Sequence, residues 1–360
     1  MLRTEGIKYE QNWKVSTSTW EKSIVAESKE YNSMVCSLKC HKSNERCNSF
    51  HFDKESNSCV LANIKFMEDI QEEESMLVYL KADACLGYEP DKNETVFFIG
   101  QGINTTQSYP FEFPLPVPTE LASFVRGGVA LLNGIIYIYN PSTVKCFSNV
   151  GGNWELLTKC VNQRRYYASM TTVGDYIMIM GGGWNGYINT IERFDGDTWT
   201  ILANNLTYGR NLHCSVAISS TEVLVIGGYN TSYISAMEKY DINGNHIETL
   251  PSMELARSNS GCAVYNNEVY VTGGIYSSGL SSVEVYNMLA KQWRKANSMK
   301  RFRWGHDMHV FNGKLKVFGG GNSEASQISM EEFDGINWIE DNTNLSKRFY
   351  LGGSVVVPSH

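Results

Sequence analysis

Short apolar runs set between polar turns pattern the C-terminal two-thirds of the chain. Tyr176–Met180, Val223–Ile226, Val269–Thr272 and Leu315–Phe318 are rich in β-branched and aromatic residues, and each ends at a glycine pair. The pairs are Gly181-Gly182, Gly227-Gly228, Gly273-Gly274 and Gly319-Gly320, so their first members step by 46 residues each time. Runs this short, bounded by glycine, read as buried strands rather than helices. The glycines supply a turn with positive φ, or room for a neighbouring backbone. A fixed period in this range marks a repeat architecture.

Further landmarks hold the same phase. Glu192, Glu238 and Glu284 are again 46 apart, and Glu331 follows. An aromatic residue and an Asp or Asn come after each: Phe194-Asp195, Tyr240-Asp241, Tyr286-Asn287 and Phe333-Asp334. Trp199, Trp293 and Trp338 open a fourth strand, with Ile247 standing in for the second repeat. Arg165, Arg210, Arg257 and Arg303 precede the four units. This order resembles the kelch repeat, in which each unit is one four-stranded blade of a β-propeller.

Both ends of the repeat region are out of step. Thr95 to Gly100 reads as the second strand of a blade and Ser108 to Phe113 as its third, whereas the chain ends on Arg348 followed by a first-strand pattern, Leu351 to Val357. The C-terminal strand is therefore expected to complete the N-terminal blade, which removes an open sheet edge. Between them, Arg126 to Leu157 is a degenerate blade without the glycine pair. The count is six blades over 94–358, in a mainly β chain. A bond between Cys146 and Cys160 is not favoured, because a turn at Val150 to Asn153 faces Cys146 with residue 156. Cys214 and Cys262, on inner strands, read as buried thiols.

Residues 13–85 are different, and 86–93 read as a linker. Five of the nine cysteines are here: Cys36, Cys40, Cys47, Cys59 and Cys85. Cys36 and Cys40 share one face of a predicted helix. Strands are expected at Ser49 to Phe52, Cys59 to Leu61 and Leu77 to Leu80, the first two joined by a polar turn from Asp53 to Ser58. The cysteine spacing resembles the PAN/apple domain, a small disulfide-rich α+β module. That resemblance implies the pairs Cys36–Cys59 and Cys40–Cys47. Apple domains usually carry a cysteine ahead of the helix that pairs with the last. None stands before Cys36, so either the sequence starts short of the natural N-terminus or Cys85 bonds elsewhere. A zinc site fits poorly, since it wants paired Cys knuckles.

Composition narrows function. Aromatic content of 12% and charged content of 19% describe a globular chain, and a net charge of −7 argues against nucleic acid or anionic membranes as partners. No apolar run approaches the ~20 residues a spanning helix needs. No secretory signal is visible, yet cysteine density points to an oxidising, extracellular setting. Sequons at Asn93, Asn104, Asn205, Asn230 and Asn344 permit glycosylation.

Catalytic motifs are scarce. His306 and His309 would project to opposite faces of a strand and so would not chelate a metal. Gly181 to Gly186 fits a Gly-x-Gly-x-x-Gly string, but a strand follows where dinucleotide binding needs a helix. Among kelch relatives the galactose-oxidase type is an enzyme, and the Tyr-His step that supplies two of its copper ligands is missing here. No cofactor is expected, and a binding protein is the better reading. The expected face gathers Arg126, Arg165, Arg210, Arg257, Arg303 and Arg348, with Tyr166, Tyr167, Trp304, Phe349 and Tyr350 beside them. Loops after the glycine pairs add Trp184, Asn185, Tyr229, Tyr276 and Asn322. Such a ring of guanidiniums would suit carboxylate, sulfate or phosphate, hence a protein or glycan ligand with acidic ones included. The same arginines could instead bond backbone carbonyls between blades. An intracellular kelch substrate adaptor or actin-binding scaffold is the alternative; such proteins carry BTB and BACK domains ahead of the propeller, and none is visible.

Overall fold

The computed structural model describes residues 94–100, 107–110, 118, 121, 124, 127–150, 152–321 and 323–357, with the backbone of five short strands nearer the N-terminus. The chain divides into two compact units, Met1–Lys92 and Asn93–His360. In the first, Ser49–Asp53 and Ser58–Ala62 form the expected antiparallel hairpin, with Phe50 opposite Leu61, and Ile24–Lys29 pairs along the other edge of Ser58–Ala62. Trp13–Val15 pairs with Ile70–Glu72. The expected helix at Cys36 and Cys40, the strand at Leu77 to Leu80, the cysteine side chains of this unit and the linker lie outside the described residues.

The second unit is a six-bladed propeller. Blades 3 to 6 each have four antiparallel strands in sequence order. Their inner strands are Ser169–Val173, Cys214–Ala217, Gly261–Tyr265 and Asp307–Phe311. Blade 2, the degenerate one, runs Gly128–Leu132, Ile135–Asn140, Lys145–Val150 and Asn153–Leu156. Blade 1 joins the two ends: Gly353–Val357 pairs with Thr95–Ile99 in the register Gly353 to Ile99 and Val357 to Thr95, and Gln107–Tyr109 follows. The inner strands touch in a closed ring, Gly353–Val357 against both Gly128–Leu132 and Asp307–Phe311.

Burial explains the continuous apolar runs. A blade's second strand is covered on both faces by its neighbours, so nearly every buried position is apolar; Thr272 and Lys316, whose ammonium is paired with Asp341, are exceptions. Ile177 and Ile179 pack toward blade 2, and Met178 and Met180 toward blade 4, because successive side chains of a strand point to opposite sides. One hydrophobic cluster of this kind sits at each of the six blade interfaces. The Trp opening the fourth strand packs on the aromatic of the third: Phe194 on Trp199 at 5.1 Å, Tyr286 on Trp293 at 5.2 Å and Phe333 on Trp338 at 5.3 Å between ring centroids. In blade 4 the partner of Tyr240 is His246, at 5.4 Å, and Ile247 is turned outward. Ile247 is the extra residue of a β-bulge, between His246 opposite Tyr240 and Glu248 opposite Lys239, so the partner is one residue earlier than expected.

The cysteines also depart from expectation. Phe147 pairs with Leu156, so Cys146 faces Leu157, one residue beyond the assumed register, and Cys146 bonds Cys160. Cys214 and Cys262 are not thiols: they are joined across the inner strands of blades 4 and 5, which lie side by side in the ring.

Candidate functional site

The four repeat arginines are interior. Arg165, Arg210, Arg257 and Arg303 are all fully buried. Each guanidinium donates to the carbonyl of the first glycine in its pair, at 3.0 Å (Gly181), 3.2 Å (Gly227), 2.9 Å (Gly273) and 2.6 Å (Gly319). Each also pairs with the Glu of the third strand of its own blade: Arg165 with Glu192, Arg210 with Glu238, Arg257 with Glu284 and Arg303 with Glu331. Those carboxylates accept from backbone amides ahead of the Arg as well. Glu192 takes Asn162 and Gln163, Glu284 takes Glu254 and Leu255, and Glu331 takes Lys300 and Arg301. Burial pulls Arg165, Arg257 and Arg303 below the usual arginine range, and the carboxylates oppose it. No ring of free guanidiniums exists for a ligand on these four.

Arg348 also fails the expectation, for another reason. The residue that occupies the arginine position in blade 1 is Phe349, whose carbonyl accepts from Gly320 at 2.8 Å as the Arg257 carbonyl accepts from Gly228 at 2.9 Å. Arg348 points outward, 3.5 Å from Glu324. Arg126 and Asn322 lie outside the described residues.

What remains on this face is aromatic. Because strands alternate in direction, the segments leading into the inner strands and the loops after the glycine pairs open on the same side. They are also bonded to each other: Tyr166 bridges Gly183, Asn211 bridges Tyr229 and Ser258 bridges Ile275. The loop residues are thus held on a hydrogen-bonded frame rather than on free coil. Trp184 stacks on Tyr166 at 5.7 Å, and the Arg164 guanidinium lies 4.7 Å from its ring centre. A row follows across blades 3 to 5, with Tyr187 to Tyr229 at 6.1 Å, Tyr229 to Tyr233 at 5.3 Å and Tyr233 to Tyr276 at 5.4 Å. Trp304 and Tyr350 meet edge to face at 6.2 Å farther round. Trp184, Tyr187, Tyr276 and Phe302 are among the exposed large side chains. Tyr167, Trp184, Tyr229, Tyr276, Trp304 and Tyr350 therefore do share one face. Tyr187 and Tyr233 were missed by the sequence reading although they stand 46 residues apart, in phase with every other landmark.

Inside this face the channel mouth is narrowed by a chain of backbone bonds. Leu212 donates to Tyr167, Asn259 to Leu212, Gly305 to Asn259 and Leu351 to Gly305, at 2.8–3.0 Å. All five residues have positive φ, from 46° to 62°. These five residues and their neighbours line a cavity of about 110 Å³, and residues of the inner strands line another of about 230 Å³. Their polar groups bond to neighbouring blades: His213 to Ser169, His306 to Thr272, and Ser354 between Asp307 and His309. The serine stands at the centre of that last cluster, so His309 is not held between carboxylate and hydroxyl as nucleophile activation requires. His306 and His309 bond to different blades. Among the described residues no three His, Cys, Asp or Glu side chains gather for a metal.

Of the sequons, Asn205 and Asn344 are exposed, whereas the Asn230 amide donates to the Gly209 carbonyl within the aromatic row. Asn93 and Asn104 lie outside the described residues. No described helix is long and apolar enough to cross a membrane.

Comparison with known proteins agrees with this geometry. The Kelch motif family matches residues 164–206 and 256–300, which are blades 3 and 5. The second unit is a six-bladed propeller with two blades that match the kelch motif. A solved structure described as "Structure of YjhT" is similar in fold, with a TM-score of 0.56 and 14% identity over 66% of this chain and 87% of that one. No curated protein sequence matches. A kelch propeller is consistent with a binding role, but the fold alone selects no ligand.

Proposed function

We propose that this chain is a non-catalytic recognition protein that works in an oxidising, extracellular setting and holds a protein or glycan ligand on the aromatic face of its propeller. The observation that carries the reading is the row of tyrosines, exposed at Tyr187 and Tyr276 and half-buried at Tyr229 and Tyr233, with the exposed Trp184, all mounted on hydrogen-bonded loops. Tyr and Trp give large contact area at low conformational cost, and they dominate binding hot spots. A frame that is already rigid loses little freedom on association. All four cysteines described in the propeller are in disulfides, which fits the proposed compartment. The cysteine-rich N-terminal unit, read as apple-like, would add a second binding module. The acidic preference drops out of the proposal, since four of the six guanidiniums that motivated it already hold carboxylates of their own.

The test is a glycan-plus-peptide array probed with the full chain and with a triple variant, Trp184→Ser, Tyr229→Ser, Tyr276→Ser. Binding weakened at least about tenfold, with an unchanged thermal midpoint, is the expected result. Undiminished binding by the triple variant would move the ligand off this face.

A further inference from the structure

The loop after the glycine pair of blade 3 forms a cleft of about 620 Å³ together with the segment leading into its inner strand. Tyr166, Tyr167, Trp184 and Tyr187 are its aromatic lining, and Asn185 and Asn211 line it too. We infer that this cleft is a saccharide subsite that takes an uncharged pyranose ring, a deepening that rests on the reading of the aromatic face given above.

Three observations converge. First, every described residue that lines the cleft is uncharged, so nothing there compensates a carboxylate, sulfate or phosphate. The Arg164 guanidinium lies over the indole ring and donates to the Ser142 carbonyl at 3.1 Å. Second, Trp184 is 47% exposed although it is held by Tyr166 and Arg164. The part of the fixed indole left open, with Tyr187 lining the same cleft, offers an apolar surface of the kind that the C–H face of a pyranose covers. Third, the Asn211 Oδ1 is buried with no hydrogen-bond partner, and a buried unpaired acceptor is costly. A hydroxyl donor from the ligand would satisfy it. An apolar face with a rim of hydroxyls that donate and accept is the chemistry of a sugar. Gly183 keeps the floor open, since a Cβ there would lie 3.1 Å from the Asn211 amide nitrogen, and around Gly186 a Cβ would meet nothing within 4 Å.

A peptide fits less well. An extended peptide joins a surface mainly through main-chain hydrogen bonds along an open sheet edge. Here the amides of Tyr166, Gly183, Asn211 and Tyr229 are already taken by the bridges between segments, and that of Trp184 by Gly186.

The experiment is saturation-transfer NMR with isothermal titration, using the full chain and methyl glycosides of glucose, galactose, mannose and N-acetylglucosamine. A second arm displays the same sugars on a glycoprotein before and after enzymatic deglycosylation. At least one glycoside is expected to bind, at least about tenfold more weakly to Trp184→Ala and to Asn211→Ala, and nearly as before to Asn211→Asp, which keeps the acceptor. Binding to the glycoprotein alone, abolished by deglycosylation, would support the inference and name the source. Peptides captured through Trp184 with no response to any sugar would overturn the saccharide and leave the recognition reading standing. No ligand of any class sensitive to Trp184→Ala would overturn both. Thermal midpoints equal to that of the unaltered chain exclude misfolding as the cause.

Discussion

Glu284 shows how the repeat works at the scale of single residues. It holds the Arg257 guanidinium at 2.6 Å and the amides of Glu254 and Leu255 at 2.7 and 3.2 Å. One carboxylate thereby fixes both the arginine and the segment that leads into the inner strand of its own blade. Arg257 in turn reaches the carbonyls of Gly273 and Ser282, at 2.9 and 3.0 Å. Removing one member leaves a buried charge without its partner, which costs about 3–5 kcal/mol. Arg257→Met and Glu284→Gln should each lose that much in urea unfolding, and the double variant should lose clearly less than their sum. Strict additivity would show that the pair does not act as a unit. Blade 1 supplies an uncharged version of the same device. Where the arginine would be stands Phe349, packed edge-on to Phe98 at 5.0 Å, and where the glutamate would be stands Gln107. The Gln107 Oε1 accepts from the Lys347 amide at 3.0 Å, as Glu192 accepts from Gln163 at 3.1 Å. With the cation gone a carboxylate would be uncompensated, so a neutral acceptor takes its place. None of this can be read from a list of arginines. The period gives the position of Arg348 only to within one residue, and that one residue separates the core from solvent.

At the scale of elements, the strands and their closure were legible, because short continuous apolar runs, glycine boundaries and the missing halves at the two chain ends are local facts. Side-chain partners between blades were not, since they depend on which inner strands become neighbours. Cys214 and Cys262 are separated by 48 residues and bond only because blades 4 and 5 sit side by side. Cys146 and Cys160 turned on a hairpin register one residue from the assumed one. The aromatic face was half visible: Trp184, Tyr229 and Tyr276 were picked out, but the arginines drew the attention that the in-phase Tyr187 and Tyr233 required. The closing strand gives the test at this scale. Deleting residues after Leu351 removes Gly353–Val357 and bares the whole edge of Thr95–Ile99. It also strips Val355 from the cluster between blades 1 and 2 and the Ser354 hydroxyl from Asp307 and His309. A propeller with an open edge pairs with other chains. The truncated chain should therefore elute as oligomers in gel filtration and lose at least about 10 °C in thermal midpoint, since several kcal/mol of burial go at once. A monomer of unchanged midpoint would mean that the ring closes without its tail.

At the scale of the whole molecule, the channel ties stability to pH, because burial favours the neutral form of each titratable group around it. Burial pushes His213 and His306 down to about 3 and His309 down to about 4, so all three are neutral in the folded ring. In the unfolded chain they titrate near the ordinary value of about 6.5. The unfolded state thus binds more protons than the folded one below that pH, and stability falls as the pH drops from about 6.5 toward 4. Asp307 acts in the opposite sense. Desolvation raises it to about 6, so between roughly pH 6 and 4 it is the folded state that holds the extra proton, and acidification stabilises. Three imidazoles outweigh one carboxyl, and water in the channel softens both effects, leaving a net loss on the order of a few kcal/mol between pH 7 and 5. Urea midpoints measured across that range should fall steadily. His213→Gln with His306→Gln should flatten the slope, because two of the three groups no longer titrate. Asp307→Asn should steepen it, because the opposing proton is gone, while raising stability at pH 7, where the buried charge is removed. A midpoint that holds constant from pH 7 to 5 in the unaltered chain would show that these rings meet enough channel water to titrate as they do unfolded, and that the channel is wetter than the packing of its inner strands implies.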